Sequence, residues 1–358
     1  MPGGRTVTDA AVIGRLLDEY HERSVQPAGI EVVAGSVREP RISYKLALAD
    51  GSAQLIRAFR ADEPVPVHGR GVDNEPLADW LVGRARTLGV LADADYPAPR
   101  PVRTRTGELV AVAGPWLAWA TTFVPGNVVE PTLSQLRALG EILGLLHLVD
   151  PGDGVRWPGL ASRHPAVAVP VTLARLDAIA DLVPAQWMAI YVEIRRTALA
   201  VQQAAGALPE CIVHGDVWAR NAVQADEDGL VTLIDWETAG LGLAILDLGN
   251  YLMECHLDAA VPDTTPEAWL ISPDEDRIAA VARGYSAVRT VPAAELDFLP
   301  EAVRFATAVV AAVHLELALA DGITGPTMDA RLARIENRLD VADDVAALAR
   351  QHLTVVGG

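Results

Sequence analysis

Apolar residues near the start of the chain recur at helical spacing: Val12, Ile13, Leu16, Leu17 and Tyr20 share one face of a helix predicted over residues 9–20. The apolar runs that follow are short and read as strands, at Ile30–Val33, Ser43–Leu48 and Ala53–Phe59, with Asp50 and Gly51 as a hairpin turn between the last two. A helix is predicted over about residues 74–88. YPAPRP then enforces an extended connection, because proline fixes its own φ and biases the preceding residue away from the α region. Short strands are expected at about 101–105 and 108–112 around a turn at Gly107, and a further extended stretch, Trp116–Val124, ends at Pro125 and Gly126.

Beyond that break the pattern becomes helical. Leu133, Leu136, Leu139, Ile142, Leu143 and Leu146 form a 3.6-residue stripe with Thr132 or Ser134 as a cap. Helical patterns also cover about 171–205, 273–286, 293–319 and 325–352, interrupted by a hairpin-like segment from Cys211 to Asp235. The expected class is α+β with two lobes, a small strand-rich lobe over 1–124 and a larger helical lobe over 125–358. Clefts between such lobes are usual places for cofactors.

Composition narrows the function classes. The chain has 358 residues, 51% apolar and 21% charged, as expected of a folded soluble protein. Neither a signal peptide nor a membrane span is apparent, since the most apolar window, Val110–Val124, is broken by Gly114 and Pro115; a cytoplasmic protein is the simplest expectation. A formal charge of −18 argues against nucleic acid or anionic membrane as a partner. The two cysteines, Cys211 and Cys255, make no metal-ligand spacing and read as isolated buried thiols.

The chemistry concentrates in HGDVWARN (214–221) and LIDWE (233–237). Strands at Ala222–Gln224 and Leu230–Ile234, paired across the turn-forming ADEDG, bring Asn221 and Asp235 to one end of a hairpin and leave Asp216 in the loop leading to it. Asp235 suits Mg²⁺ on nucleotide phosphates, Asn221 adds a neutral oxygen ligand, and Asp216 can take the proton of an attacking hydroxyl. Singly, each of these residues would read as a turn cap. Together they point to phosphoryl transfer.

HGDVWARN resembles the HxDxxxxN catalytic loop of the aminoglycoside phosphotransferase and choline kinase group, relatives of the protein kinases, and LIDWE is similar to that group's counterpart of the DFG metal-binding motif. GLGLAILDL, Gly240–Leu248, resembles the segment carrying a structural Asp, here Asp247, and GEILGLLH with His147 resembles the helix before the catalytic loop. The resemblance spans roughly residues 30–320 and implies a protein-kinase-like bilobal fold. It makes Asp216 the catalytic Asp, Asn221 and Asp235 the Mg²⁺ ligands and His214 a support of the loop; alone, His214 equally reads as a core histidine.

On the nucleotide side the resemblance implies ATP, with GTP left open. Arg57 in QLIRAFR takes the place of the phosphate-binding cation, with Arg60 as runner-up. Glu75 is its acidic partner, or a solvated glutamate favoured by the helix dipole. The nucleotide-covering loop is expected within Ala34–Lys45, where Gly35 and Ser36 offer backbone N–H groups to phosphate or form an inter-strand turn. Neither a multi-glycine loop nor a Walker A lysine motif is present. Thr121 and Phe123 belong to the expected interlobe connection that meets adenine; Phe123, with Trp116 and Trp119, alternatively belongs to the lobe core.

The short run from Asp235 to Asp247 leaves little room for a peptide-docking activation segment, so the acceptor is expected to be a small-molecule alcohol. Net acidity and the carboxylates Glu254, Asp258, Asp263 and Glu267, near His256, favour a cationic acceptor such as an aminoglycoside antibiotic, which would make the chain a resistance enzyme. The same carboxylates read residue by residue as a solvated loop. Kinases of amino alcohols, nucleosides or neutral sugars are the alternatives, as is a non-catalytic, kinase-like nucleotide-binding regulatory protein.

Overall fold

The computed structural model describes residues 14–21, 28–33, 41–61, 76–152, 159–225, 229–258, 270–322 and 325–354. Gly35, Ser36, Glu75, Asp263 and Glu267 lie outside the described residues. The chain divides into two compact units, one of Met1–Pro125 with Gly152–Gly159 and one of Gly126–Pro151 with Leu160–Gly358.

The first unit is built on one antiparallel sheet. Strands β1 (Gly29–Val33), β2 (Arg41–Ala47), β3 (Ala53–Arg60), β6 (Trp116–Thr122) and β4 (Pro101–Val102) lie in that order, and β5 (Ala111–Ala113) also pairs with β6. Residues 14–20 are helical (α1), and Leu16 and Tyr20 bury against Tyr44, Leu46, Ile56, Ala58, Ala118 and Ala120. The Tyr20 hydroxyl donates to the Ala118 carbonyl at 2.8 Å, so even this buried phenol has a partner. Strand alternation puts Ile56, Ala58 and Arg60 on one face of β3, and Arg57 on the other with Phe59. There the Phe59 ring meets Trp80 edge-on, with centroids 5.9 Å apart. Trp80 belongs to α2 (Leu77–Asp93), which continues a turn past its predicted end because Val90 and Leu91 have core to bury in.

Two expectations change here. The predicted strands at 101–105 and 108–112 shorten to β4 and β5, because Thr104 and Gly107, the latter at φ 88°, close a local turn with Glu108. Of the expected covering loop, residues 41–45 are strand β2, paired with β3 from Arg41–Phe59 to Ala47–Ala53.

The second unit is helical, with two small sheets set into it. Helix α3 (Leu133–Leu146) matches the predicted stripe, and the structure selects Thr132 as its cap, its hydroxyl accepting from the Gln135 N–H. The 171–205 pattern is two helices, α4 (Pro165–Ile179) and α5 (Met188–Ala204), separated by short turns around Pro184, which cannot continue a helix. Helix α6 (Ala244–Glu254) is followed by α7 (Glu275–Val288), α8 (Ala293–Asp297), α9 (Leu299–Leu319) and α10 (Pro326–Arg350). The predicted 293–319 helix is therefore broken after Asp297, with Pro300 in the first turn of its second half. Helix α9 is the one helix among the described residues long and apolar enough to cross a membrane, and 72% of that apolar window is buried within the protein. Its Ala308, Ala311 and Leu315 share a core with Leu176, Ile194 and Ile335.

Helices α3 and α7 cross with their backbones nearly touching. A Cβ on Gly140 would collide with the Val281 carbonyl oxygen, and one on Gly284 with that of Arg137. Strand β9 (Ala222–Gln224) pairs with β10 (Val231–Leu233), the expected hairpin, and β7 (Asn127–Val128) adds a third strand. Strand β8 (Glu210–Val213) pairs with β11 (Gly240–Leu243).

Candidate active site

Strand β8 ends at Val213, and the chain turns at once through Gly215, whose φ is 81°. A side chain there would be strained by that φ and would sit 2.9 Å from the Thr238 carbonyl oxygen. The turn is held from three directions. The Asp247 carboxylate accepts from the His214 N–H at 2.8 Å and from the Gly215 N–H at 2.9 Å. The Thr238 hydroxyl donates to the His214 carbonyl at 2.8 Å. The fully buried His214 ring donates through Nε2 to the Ile234 carbonyl at 2.8 Å, accepts at Nδ1 from the Asp216 N–H at 3.3 Å, and meets the Trp236 ring at 4.6 Å.

Asp216 is held in place by Asn221, whose Nδ2 donates to the Asp216 carbonyl at 2.9 Å and to Oδ2 at 2.8 Å. The Asn221 amide oxygen is thereby left as the acceptor of that side chain. Burial pushes the Asp216 carboxyl up, Arg163 and His214 oppose this, and Asp235 and Glu254 add to it. The side chain keeps 40% of its exposure, which tempers the push. Arg163 Nη2 lies 3.4 Å from Asp216 Oδ1.

The β9–β10 ladder ends at Ala222–Leu233, and the Ile234 N–H donates to the Asn221 carbonyl at 2.8 Å, so Asn221 and Asp235 flank the same end of the hairpin. Asp235 is in the left-handed region, φ 64°, a conformation that costs a non-glycine residue free energy and recurs at functional sites. The Asn221 amide oxygen and the Asp216 and Asp235 carboxylates are all hard oxygen donors, the type Mg²⁺ takes. Among the described residues no three His, Cys, Asp or Glu side chains converge on a metal position. The donor set fits Mg²⁺, which is ordinarily bound through one or two carboxylates together with substrate phosphates and water.

Behind the loop runs a buried chain of polar groups. His147 caps the C-terminus of α3, with Nε2 3.4 Å from Asp247 Oδ2 and Nδ1 2.7 Å from the Tyr285 hydroxyl on α7. The close α3–α7 crossing sets that pair together. Arg289 donates to the Tyr285 hydroxyl at 2.8 Å and forks onto Glu295 at 2.7 and 2.8 Å. Burial lowers the His147 pKa, so its ring is neutral near neutral pH. Burial works to raise the Asp247 carboxyl, but the bonds from His147 and from the His214 N–H hold it below the usual carboxylate range.

A cavity of about 330 Å³ opens beside Asp216. Its charged lining is Asp216, Glu254, Arg163, Arg220, Arg334 and Arg338. Glu254 was expected to be available to a cation, but Arg338 forks onto it at 2.6 and 3.1 Å. Burial opposes ionisation of Glu254, and Arg338, Arg163 and Arg334 together hold its carboxyl low. Asp258, also expected at the acceptor, does not line the cavity and pairs with Arg277 at 3.1 Å. His256 accepts at Nε2 from the Asp274 N–H, a structural role. The arginines gave no local signal in the sequence, apart from the one-turn spacing of Arg334 and Arg338 on α10.

In the first unit, Arg57 is half-buried on β3 opposite Ser43 and Trp119. Thr121 is a buried sheet residue paired with Leu55 and Pro101. The N–H groups of Thr122 and Phe123 donate to the carbonyls of Arg100 and Ala53, both at 2.8 Å. Lys45 Nζ sits 4.2 Å from the centre of the Phe123 ring. Only Arg57 and Arg60 stand out in the sequence as candidate cations, while Lys45 falls in the predicted strand Ser43–Leu48 with no motif to mark it.

Residues 81–291 match the model of a family described as the phosphotransferase enzyme family. The chain is 30% identical over 258 residues to a homoserine kinase of Acidiphilium cryptum (strain JF-5), covering 70% of this chain and 73% of that protein. Among solved structures it is similar to amicoumacin kinase hAmiN in complex with AMP-PNP, Ca²⁺ and Ami, with a TM-score of 0.64 and 14% identity over 96% of both chains. It is also similar to a choline/ethanolamine kinase family protein from Mesorhizobium loti, with a TM-score of 0.58 and 16% identity over 97% of this chain and 100% of that one. The α+β architecture is that of these kinases.

Proposed function

The chain belongs to the phosphotransferase enzyme family and is an ATP-dependent small-molecule kinase; from that premise we propose that the loop His214–Asn221 carries the transfer, with Asp216 as its base. The observation that carries this reading is the double hydrogen bond from Asn221 Nδ2 to Asp216, within a turn fastened by Asp247.

The acceptor hydroxyl gives its proton to Asp216 as its oxygen attacks the γ-phosphorus, the bond from that phosphorus to the bridging oxygen breaks, and ADP leaves. Asn221 fixes the carboxylate rotamer, so positioning precedes binding and costs nothing at the moment of transfer. Asn221 and Asp235 are the residues that would hold Mg²⁺, which when bound neutralises charge on the nucleotide phosphates. Arg57 offsets phosphate charge from the small unit, and Gly35, Ser36 and Glu75 retain their expected nucleotide-side roles. A kinase-like protein without turnover is set aside by family membership.

For the acceptor, the reading departs from an aminoglycoside. The carboxylates meant for its amines are engaged, Glu254 by Arg338 and Asp258 by Arg277. A small hydroxy compound replaces it, and homoserine, the substrate in the name of the Acidiphilium relative, is the first to test. Release of ADP is to be followed with homoserine, choline, 3-aminopropan-1-ol, a neutral sugar and an aminoglycoside. Turnover of a small alcohol that Asp216→Asn abolishes supports the reading; undiminished turnover by that variant overturns it.

A further inference from the structure

We propose that the cavity beside Asp216 contains a carboxylate-binding subsite formed by Arg334 and Arg163, so that the enzyme selects acceptors carrying an anionic group near the reactive hydroxyl. The inference rests on the phosphotransfer reading above and adds what the acceptor must carry.

The charges in the cavity do not balance. Four guanidiniums, of Arg163, Arg220, Arg334 and Arg338, face two carboxylates, of Asp216 and Glu254. This local excess of positive charge stands inside a protein whose formal charge is −18, so it does not follow from the overall composition. Gathering like charges in a partly desolvated space costs free energy that an anionic ligand recovers.

The arginines are not equivalent. Arg338 is committed to Glu254 by two bonds. Arg220 lies over the Trp218 ring, 5.0 Å from its centre, within the catalytic loop. Arg334 sits one helical turn before Arg338 on α10 and is near enough to Glu254 to lower its pKa. Arg163 reaches Asp216 only at 3.4 Å, and its Nη1 is buried with no hydrogen-bond partner among the described residues. A buried guanidinium N–H without an acceptor is costly, and a ligand carboxylate would satisfy it. Arginine's planar fork suits a carboxylate, which it grips through two parallel bonds.

A phosphate oxygen of ATP has the same chemistry as an acceptor carboxylate, and the experiment separates the two. Two matched pairs differ only by a carboxylate: homoserine against 3-aminopropan-1-ol, and serine against ethanolamine. We expect the wild type to favour the carboxylate-bearing member by at least about tenfold in kcat/KM, equivalent to about 1.4 kcal/mol. Arg334→Gln should collapse that ratio, and Arg334→Lys, which keeps the charge but not the fork, should restore part of it. Equal use of both members by the wild type, or preference for the amine, overturns the subsite. So does an Arg334→Gln variant whose KM rises for ATP while its acceptor ratio is unchanged, because the arginine then serves the nucleotide. Should no alcohol be phosphorylated, the phosphotransfer reading fails separately, and calorimetric titration with the same four compounds decides the subsite. Binding that depends on the carboxylate and is lost in Arg334→Gln sustains it, and no binding overturns it.

Discussion

The main-chain N–H of Gly215 donates to Oδ1 of Asp247 at 2.9 Å, while the other oxygen of that carboxylate takes the His214 N–H. One side chain on α6 thus satisfies two consecutive buried peptides of the turn that presents Asp216. Replacing Asp247 by Ala strands both donors, at roughly 1–3 kcal/mol each. Urea denaturation should show a loss of several kcal/mol, and kcat should fall with it.

The same contact sets an acid limit on stability. The folded-state pKa values of Asp247 and His147 are both lowered, so the folded state prefers each group deprotonated. Each contribution is complete above the pKa of the unfolded chain and is lost as pH falls toward the folded value. Loss should begin below the ordinary histidine range with His147 and deepen below the ordinary carboxylate range with Asp247. Thermal unfolding at stepwise lower pH measures this, and Asp247→Asn should flatten the lower part of the curve.

Gly215→Ala tests the turn itself. A positive φ costs an L-residue about 1–3 kcal/mol, and the added Cβ also meets the Thr238 carbonyl. The expected result is a folded protein with lowered Tm and a kcat reduced more than its KM for ATP. An unchanged Tm would mean that the loop tolerates a different path.

Asp216→Asn should retain the fold and lose about 10²- to 10⁴-fold in kcat, the usual worth of a general base. In the wild type the acid limb of kcat/KM should lie above the ordinary carboxylate range, because burial raises the Asp216 pKa. Arg163 opposes that rise, so Arg163→Gln should move the limb to still higher pH. A limb that stays in place would remove Arg163 from the electrostatics of the base.

Asp235→Asn should raise the Mg²⁺ concentration needed for half-maximal rate. Losing a direct ligand should cost at least the roughly tenfold that loss of an outer-shell partner costs. A Mg²⁺ titration at fixed ATP reads this directly, and an unmoved midpoint would place the ion elsewhere.

Much of the candidate site was legible because its pieces are local. A glycine before Asp216, an asparagine five residues after it and a hairpin leading to Asp235 lie within one short stretch, where turn chemistry and strand pairing are set by neighbours. The helical stripe of α3 was equally plain. The breaks at Pro184 and after Asp297 were harder to see, since the apolar periodicity continues past each and only packing shows where a helix must turn. The engagement of the two acids was hidden for a related reason. Glu254 and Asp258 read as exposed acids, while the guanidiniums that take them stand on α10 and α7.

The sequence by itself determined the fold class and the reaction class and marked the loop proposed to carry it, because those depend on backbone periodicity and on residues close along the chain. The tertiary structure decided what surrounds that loop. Arg163 enters from just before α4 and Arg334 and Arg338 from α10, and no local pattern records that they meet Asp216 and Glu254 in one cavity. A cavity's charge is a sum over side chains brought together by packing, and HGDVWARN contributes only two of those six charged residues, Asp216 and Arg220.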